Sequence, residues 1–248
     1  MKRFCLTALL ILAAASAGLA AELPPGFVDA QKVIPGLIVE MRYFGQHNFV
    51  GARIDGYQAP RCILTKTAAA ALAGVQADLQ PMGLGLKVYD CYRPQRAVAH
   101  FQRWAKDVAD AKTKAEFYPS VDKRDLFKLG YVADKSSHSR GSTVDLTIAP
   151  LPPAPQPAFR LGEKLAACTR PVGQRWPDNG LDMGTGFDCF DKLAHTASPA
   201  APAQARANRA LLQTLMTEHG FINFDQEWWH YTLAGEPFPD TYFDFPVR

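Results

Sequence analysis

Two short motifs in the sequence carry residue types that can bind a metal ion and catalyse hydrolysis. The first motif contains His138 and Asp145, and the second runs from Glu227 through two tryptophans to His230. Two imidazoles and a carboxylate can hold Zn²⁺ and leave a fourth position open for water, as catalytic zinc sites do. A further carboxylate, Glu227, can act as a general base toward such a water. The motifs therefore predict one zinc ion per chain, bound by His138, Asp145 and His230.

The spacing of Glu227 and His230 sets a condition on the fold. In a regular strand, residues three apart point to opposite faces, so both side chains could not reach one metal ion. We therefore expect either a bulge or a position for Glu227 on the turn just before the strand. Trp228 and Trp229 are interpreted as packing residues. Large apolar rings beside Glu227 should raise its pKa toward the working range of a general base.

Arg93 is a further candidate for the reaction. It lies in the sequence Asp90-Cys-Tyr-Arg-Pro94, at a predicted junction between a strand and a helix. A guanidinium there could stabilise the oxyanion of a tetrahedral intermediate. Taken alone, an arginine near a helix start is more often a solvated charge. The other histidines have no partner at ligand spacing and are interpreted as structural or surface residues; they are His47, His100, His195 and His219.

The elements that must position these residues follow from the apolar patterning. Strands are predicted at residues 38–44, 86–91 and 142–148, with a hairpin formed by 221–224 and 228–233. Helices are predicted from Thr65 to about Gln80, from Pro94 to about Val108, and from Asn208 to His219, with Gly220 as the C′ cap. In strand 142–148, Val144, Leu146 and Ile148 should face the core and Asp145 the opposite side. This mixture of predicted strands and helices indicates an α+β fold with an antiparallel sheet and segregated helices.

The N-terminal segment reads as a signal peptide. Lys2 and Arg3 precede an apolar run from Leu6 to Ala15, and small residues follow before Ala21. We expect residues 1–20 to be removed, with no later membrane span, and residues 21–248 to form a single exported domain in the periplasm. A proline-rich stretch at about 150–180 lacks periodicity and is interpreted as an insertion within that domain.

The formal net charge bears on the kind of partner that the chain can bind. Removing Lys2 and Arg3 changes the formal net charge from +3 to +1, because 3 − 2 = 1 and the first twenty residues hold no acid. That near-neutral charge argues against a nucleic-acid partner.

Four cysteines remain after the predicted signal peptide and suggest two disulfides in an exported chain; they are Cys62, Cys91, Cys168 and Cys189. Of the possible pairings, Cys62–Cys91 and Cys168–Cys189 are favoured. Oligomeric state is left open.

A set of segments spread over nearly the whole chain resembles the zinc D-alanyl-D-alanine peptidases of the M15 type, most closely the vancomycin-resistance dipeptidase subfamily. The segments are Tyr43, Asn48-Phe49 with Gly51, Gly56-Tyr57, Tyr92–Val98, Gly130–Ala133, Ser136–Thr147, Met183–Asp188, Glu227–Tyr231 and Tyr242–Val247. The resemblance implies the fold shared by these peptidases and the hedgehog signalling domain. Thr143 stands where the family usually has alanine, and the insertion and cysteine pairs are also unusual.

The resemblance also implies roles for individual residues. The metal ligands would be those named above, Glu227 would be the general base and acid, and Arg93 would polarise the substrate carbonyl. Tyr43, Ser136 and Asp188 would hold the free ammonium of a small D-amino-acid dipeptide. An anionic end in a closed cavity selects a dipeptide over a longer peptide.

Three functions remain in view. The expected one is zinc-dependent hydrolysis of the D-Ala-D-Ala dipeptide in the periplasm. One alternative is a D,D-carboxypeptidase acting on peptidoglycan stem peptides, which must admit an acylated N-terminus and gains nothing from an ammonium clamp. The other is a non-catalytic, zinc-stabilised peptidoglycan-binding module, against which the presence of Glu227 and Arg93 argues.

Overall fold

A computed structural model describes residues 22–160, 162–163 and 166–248; the predicted signal peptide lies outside these residues. The described strands are β1 (Phe27–Asp29), β2 (Ile38–Val39), β3 (Ile63–Thr65), β4 (Leu84–Asp90), β5 (Thr143–Pro150), β6 (Phe221–Asn223) and β7 (His230–Leu233). The described α-helices are α1 (Lys66–Leu79), α2 (Gln95–Lys106), α3 (Lys114–Phe117) and α4 (Ala203–Glu218). This composition confirms the predicted α+β class.

The strands form two sheets. Five strands pair in the order β2-β4-β5-β7-β6, and β1 pairs with β3 in a separate two-stranded sheet. All pairs are antiparallel except β2 with β4, which is parallel. The expected antiparallel sheet is therefore present, with one parallel strand added at its edge.

Most predicted elements occur, with shifted ends. Thr65 caps α1 by accepting a hydrogen bond from the Ala68 backbone N–H, as its position before an alanine-rich run predicts. The Gly220 φ angle is +83°, which suits the predicted C′ cap after α4. However, α4 begins at Ala203 rather than Asn208. Pro202 precedes its first turn, and proline is well tolerated there.

The predicted strand at residues 38–44 is wrong beyond Val39. The backbone N–H groups of Glu40 and Arg42 still donate to carbonyls of β4, but the chain then enters a turn. The alternating pattern predicted an extended segment and could not show where this turn begins. The turn carries Tyr43 away from the sheet edge and into the interior.

Both faces of the five-stranded sheet are covered. Val144, Leu146 and Ile148 are fully buried on one face, in the cluster that includes residues of α1 and α4. A second, largely aromatic cluster contains Tyr43, Phe101 and other rings. Asp145 points to the opposite side of β5 from Val144, as predicted, but it too is buried.

The described part of the proline-rich stretch is held against the sheet by buried charges. Asp178 accepts hydrogen bonds from Arg42 Nη2 at 2.9 Å, Lys87 Nζ at 2.9 Å and Tyr89 Oη at 2.8 Å. The Cys168–Cys189 disulfide fastens the same stretch to the domain, and the second disulfide joins Cys62 to Cys91. Both predicted pairings are confirmed.

None of the helices formed by the described residues is long and apolar enough to cross a membrane.

Candidate metal centre

The register of three neighbouring strands brings the predicted ligands together. Asp145 on β5 lies opposite His230 on β7 and opposite Asp90 on β4. Residues directly opposite each other in an antiparallel pair project from the same face. A register irregularity between Val88 and Asp90 places Asp90 in this row at the end of its strand.

His138 reaches the same point from a 3₁₀ turn, Ser137–Arg140, that precedes β5. Its Nδ1 lies 2.7 Å from the Cys91 carbonyl oxygen, which can only accept a hydrogen bond. Nδ1 therefore carries the hydrogen, and Nε2 offers a lone pair to the site. The turn ends at Gly141, whose φ angle of +85° is one that residues with a Cβ rarely adopt.

Three donor atoms face one another in a small triangle. His138 Nε2 lies 3.2 Å from Asp145 Oδ1, and His230 Nδ1 lies 3.1 Å from the same oxygen. The two ring nitrogens are 3.3 Å apart. Metal–ligand bonds of about 2.0–2.2 Å in a tetrahedral site give donor separations of about 3.3–3.6 Å. The triangle is therefore close to the size that a tetrahedral Zn²⁺ ion requires.

The donor chemistry also fits a cation. Asp145 Oδ1 is buried and has no hydrogen-bond partner among the described residues. On the far side of the other ring, His230 Nε2 lies 3.2 Å from Ser137 Oγ, which leaves Nδ1 directed at the triangle. A buried carboxylate oxygen beside two imidazole nitrogens is poorly satisfied by protein alone, and a bound cation would satisfy it.

Protonation of the donors depends on their surroundings. Burial lowers the pKa of His138 and so favours the neutral imidazole that metals bind. Burial alone would raise the pKa of Asp145, but His138 and His230 lower it overall, so the carboxylate is ionised. For His230, burial lowers the pKa, but Asp145 and Glu227 more than offset this, so the net shift of the pKa is upward. A metal ion binds the neutral imidazole and therefore competes with a proton for this nitrogen.

Glu227 lies on the turn just before β7, which is one of the two arrangements that its spacing from His230 allowed. Its backbone N–H donates to the Phe224 carbonyl, and its own carbonyl accepts from Asn223 Nδ2. Its Oε2 lies 3.5 Å from His230 Nδ1. Burial raises the pKa of Glu227 to about 7, with His230 opposing and Asp145 adding to the shift.

Arg93 is largely buried beside the triangle, with 12% of its side chain exposed, and is not the solvated charge that its position alone would favour. Its Nε donates to Asp90 Oδ2 at 2.8 Å, which fixes the plane of the guanidinium. Its Nη2 lies 3.4 Å from Asp145 Oδ2, and its Nη1 lies 3.4 Å from Ser136 Oγ. Asp90 is itself held by Tyr57 Oη at 2.6 Å.

Asp188 and Tyr43 form the opposite end of the site. Tyr43 Oη donates to Asp188 Oδ2 at 2.9 Å, and both residues are buried. Burial, together with the negative charges of Asp145 and Glu227, raises the pKa of Asp188 well above its usual range. Asp188 also has a φ angle of +56°, the only positive value at a described residue other than glycine. Such a carboxyl group would be stabilised by a ligand that brings a positive charge.

A cavity of about 250 Å³ joins these groups. All three residues expected at the substrate end line it, as do Arg93, Asp145, Glu227 and His230. Sequence reasoning missed several lining residues, among them Lys135, Phe190 and Phe224. Lys135 lies next to Ser136 in the chain, and this proximity was the available signal. Phe190 and Phe224 look like ordinary core residues in sequence.

The remaining histidines lie elsewhere, and none lines this cavity in the described structure. His47 is buried between Arg42 Nη1, which donates to its Nδ1, and Glu116 Oε1. His100 pairs with Asp55 and His219 with Asp78. The contacts of these three fit the interpretation as structural or surface residues.

Comparisons with known proteins identify relatives of this chain. The model of the peptidase M15 family, described as D-ala-D-ala dipeptidase, matches residues 24–151 and 173–248. A D-alanyl-D-alanine dipeptidase of Streptomyces coelicolor is 41% identical over 221 residues, covering 89% of this chain and 96% of the relative. The enzyme of that name from Enterococcus faecalis is 39% identical over 225 residues, covering 90% and 98%. One from Escherichia coli is 32% identical over 209 residues, covering 83% of each chain. Residues 152–172, most of the described insertion, lie outside the family match.

Proposed function

The chain belongs to the peptidase M15 family, and from that premise we propose that it is a zinc-dependent dipeptidase that hydrolyses D-Ala-D-Ala. The observation that carries the proposal is the pairing of a three-donor triangle with a buried carboxyl group at the other end of one small cavity. The triangle suits the reacting carbonyl, and the carboxyl group suits the ammonium of an unblocked dipeptide.

His138, Asp145 and His230 would hold the metal ion. Zinc bound by such a set supplies a Lewis acid and lowers the pKa of the attacking water. The Cys91 carbonyl and Ser137 hydroxyl orient the two imidazoles, so the ligands are placed before the metal arrives.

Glu227 would move the proton of the reaction. Burial raises the pKa of the Glu227 carboxyl group, which makes it a stronger base toward the attacking water. The proton then passes to the departing amine nitrogen as the C–N bond breaks. Hydrolysis thus consumes one water molecule and releases two molecules of D-alanine.

Arg93 would stabilise the negative charge that develops on the carbonyl oxygen. Its guanidinium is largely buried and already oriented by Asp90, so little reorganisation is needed when the charge forms. Ser136, whose Oγ lies 3.4 Å from Arg93 Nη1, would join Asp188 and Tyr43 in holding the substrate ammonium.

Asp188 and Tyr43 would select a free dipeptide. A buried carboxyl group gains most from a ligand that carries its own positive charge, and an acylated nitrogen carries none. The same pair would disfavour the stem peptides that a D,D-carboxypeptidase cleaves, since these have no ammonium at this position.

Export to the periplasm is part of the proposal. Two disulfides support an oxidising compartment, and the predicted signal peptide would direct the chain there.

A substrate panel tests the function. We expect turnover of free D-Ala-D-Ala, little turnover of its N-acetyl form and none of L-Ala-L-Ala, with one zinc ion per chain in the same sample. Equal cleavage of acetylated and free substrate would replace the dipeptidase with the carboxypeptidase alternative. Zinc binding without any turnover would instead favour the non-catalytic module.

A further inference from the structure

The Cys62–Cys91 disulfide lies directly behind the metal centre. Both cysteines are fully buried. Cys91 is the first residue after β4, where the chain leaves the sheet, and Cys62 immediately precedes β3. The disulfide therefore joins the two sheets at the point where the chain turns toward Arg93.

The turn that contains Cys91 exchanges hydrogen bonds with the turn that contains His138. The Cys91 carbonyl accepts from His138 Nδ1 at 2.7 Å, and the His138 carbonyl accepts from the Arg93 backbone N–H at 3.3 Å. The first bond sets the tautomer and the orientation of the imidazole. A displacement of the Cys91 carbonyl would therefore move or rotate a metal ligand.

Strand β3 supports both turns. The Ile63 carbonyl accepts from the Tyr92 backbone N–H at 2.8 Å, and the Thr65 backbone N–H donates to the Gly141 carbonyl at 2.7 Å. Cys91 itself lies beyond the last paired residue of β4, so ladder hydrogen bonds no longer hold it. The covalent link to Cys62 takes their place at this position.

The other disulfide provides a contrast. Cys168 lies in the insertion and Cys189 follows Asp188, on the ammonium side of the cavity. The backbone contacts of Cys168 are with Glu116 and Gly186, which are not metal ligands. The sequence separations of the two disulfides are similar, 29 and 21 residues, so each constrains the unfolded chain to a comparable degree.

We propose that the Cys62–Cys91 disulfide is a positioning element of the metal centre, which holds the Cys91 carbonyl in place to orient His138 for metal binding. This inference rests on the proposed zinc site. In an oxidising compartment the bond is intact and the site is preorganised. In a reduced chain the same ligands are present but His138 is less well oriented, so zinc binds more weakly.

The test compares zinc affinity in C62A/C91A with that in C168A/C189A. Zinc dissociation constants are measured by competition with a chromophoric chelator, at a temperature where near-ultraviolet circular dichroism shows each variant to be folded. Loss of an outer partner of a metal ligand typically costs about 10–100-fold in affinity. We expect a loss of this size in C62A/C91A and a change of less than about twofold in C168A/C189A.

Zinc affinity is the measured quantity because a disulfide that only stabilised the fold would not weaken zinc binding in one variant and spare the other. Turnover is unsuitable, since Cys189 adjoins Asp188 and the control could alter substrate binding. Unchanged affinity in C62A/C91A would overturn the proposal, as would an equal loss in both variants. If the wild-type chain itself bound no zinc, the proposed function would fail instead.

A second comparison covers the case in which C62A/C91A does not fold. The C168A/C189A chain is prepared with Cys62–Cys91 oxidised and, separately, reduced by a phosphine that is then removed under anaerobic conditions. The reduced form should bind zinc about 10–100-fold more weakly than the oxidised form of the same chain. Equal affinity overturns the proposal. Loss of the fold in the reduced form alone also overturns it, by assigning the disulfide to global stability.

Discussion

At the scale of single residues, Glu227 is the carboxylate that the proposed mechanism uses to move the proton. We expect Glu227→Gln to retain zinc and to lose about 10²–10⁴-fold in kcat, because the amide keeps the shape but cannot accept a proton. Metal content and steady-state kinetics on one preparation check this. Asp225→Asn is the matched control, since it makes the same change at an exposed position on the same turn and should keep wild-type turnover. A loss of less than about tenfold in Glu227→Gln would mean that another group accepts the proton.

Asp188 tests specificity at the same scale. Asparagine is the suitable replacement, because it tolerates the positive φ angle at this position and can still accept from Tyr43 Oη. A buried charge left without its partner costs about 2–5 kcal/mol. Asp188→Asn should therefore lower kcat/KM for free D-Ala-D-Ala by about 30-fold to several thousand-fold.

The N-acetyl dipeptide is the internal control for this variant. It brings no ammonium, so its slow cleavage should change little when Asp188 loses its charge. The ratio of the two kcat/KM values should then fall toward one. A variant that slows both substrates equally would show that Asp188 supports the site without binding the ammonium.

At the scale of elements, the turn between His138 and β5 depends on Gly141. A Cβ there would lie 2.3 Å from a Phe27 ring carbon, in addition to the strain of a positive φ angle. The strain alone costs about 1–3 kcal/mol. We expect Gly141→Ala to lower the free energy of unfolding by more than this and to weaken zinc binding, because His138 shifts with the turn.

Gly83→Ala is the matched control for that variant. Gly83 also has a positive φ angle, +70°, but a Cβ added there meets nothing within 4 Å. Gly83→Ala should lower the free energy of unfolding by the backbone strain alone, which is a smaller loss than in Gly141→Ala, and should leave zinc affinity unchanged. Denaturant unfolding measures the loss. Equal losses of stability in the two variants, with normal zinc binding in Gly141→Ala, would contradict the role of this turn.

Local chemistry made the helices and the main strands predictable. Thr65 before an alanine-rich run and Gly220 after an amphipathic one are signals that lie within a few residues of the boundary they mark. The end of β2 was not predictable, because nothing in residues 38–44 shows that the chain turns after Arg42. That turn is maintained by distant partners, including Asp178 in the insertion.

The candidate site was predictable to a similar extent. The first motif supplied His138 and Asp145, and the second supplied His230. The structure brings one donor atom of each residue within 4.8 Å of the others. The Glu227 turn was one of two arrangements that spacing allowed. The sequence did not predict that Cys91 orients His138. The contact is made by the backbone carbonyl of Cys91, and every residue type has such a carbonyl.

At the scale of the whole molecule, a buried polar chain links the insertion to the sheet and to α3. Arg42 can only donate, so the His47 nitrogen that it contacts must carry a lone pair. The other nitrogen then donates to Glu116 Oε1 at 2.8 Å. Glu116 Oε2 is buried and has no partner among the described residues. Burial raises the pKa of Glu116 to about 7, and Arg42 opposes the shift only in part.

This raised pKa makes the stability of the fold depend on pH. Below pH 4.5, the ordinary value for the group, the folded and unfolded chains both carry the proton. As pH rises from there to about 7, the unfolded chain ionises first, so the free energy of unfolding falls across this window. The full effect of one such carboxyl group is about 3 kcal/mol at most.

Glu116→Gln should remove that dependence. The amide oxygen can still accept from His47, and the side chain no longer ionises. Relative to wild type, the variant should therefore gain stability progressively between pH 4.5 and about 7 and show no further relative change above it. Urea unfolding of both proteins, with disulfides intact and metal removed by chelator, measures the difference without a contribution from zinc binding.

Glu218→Gln, at an exposed position on α4, controls for the loss of one carboxylate. A constant difference across the window would show that Glu116 is ionised in the fold and that a partner outside the described contacts satisfies its charge.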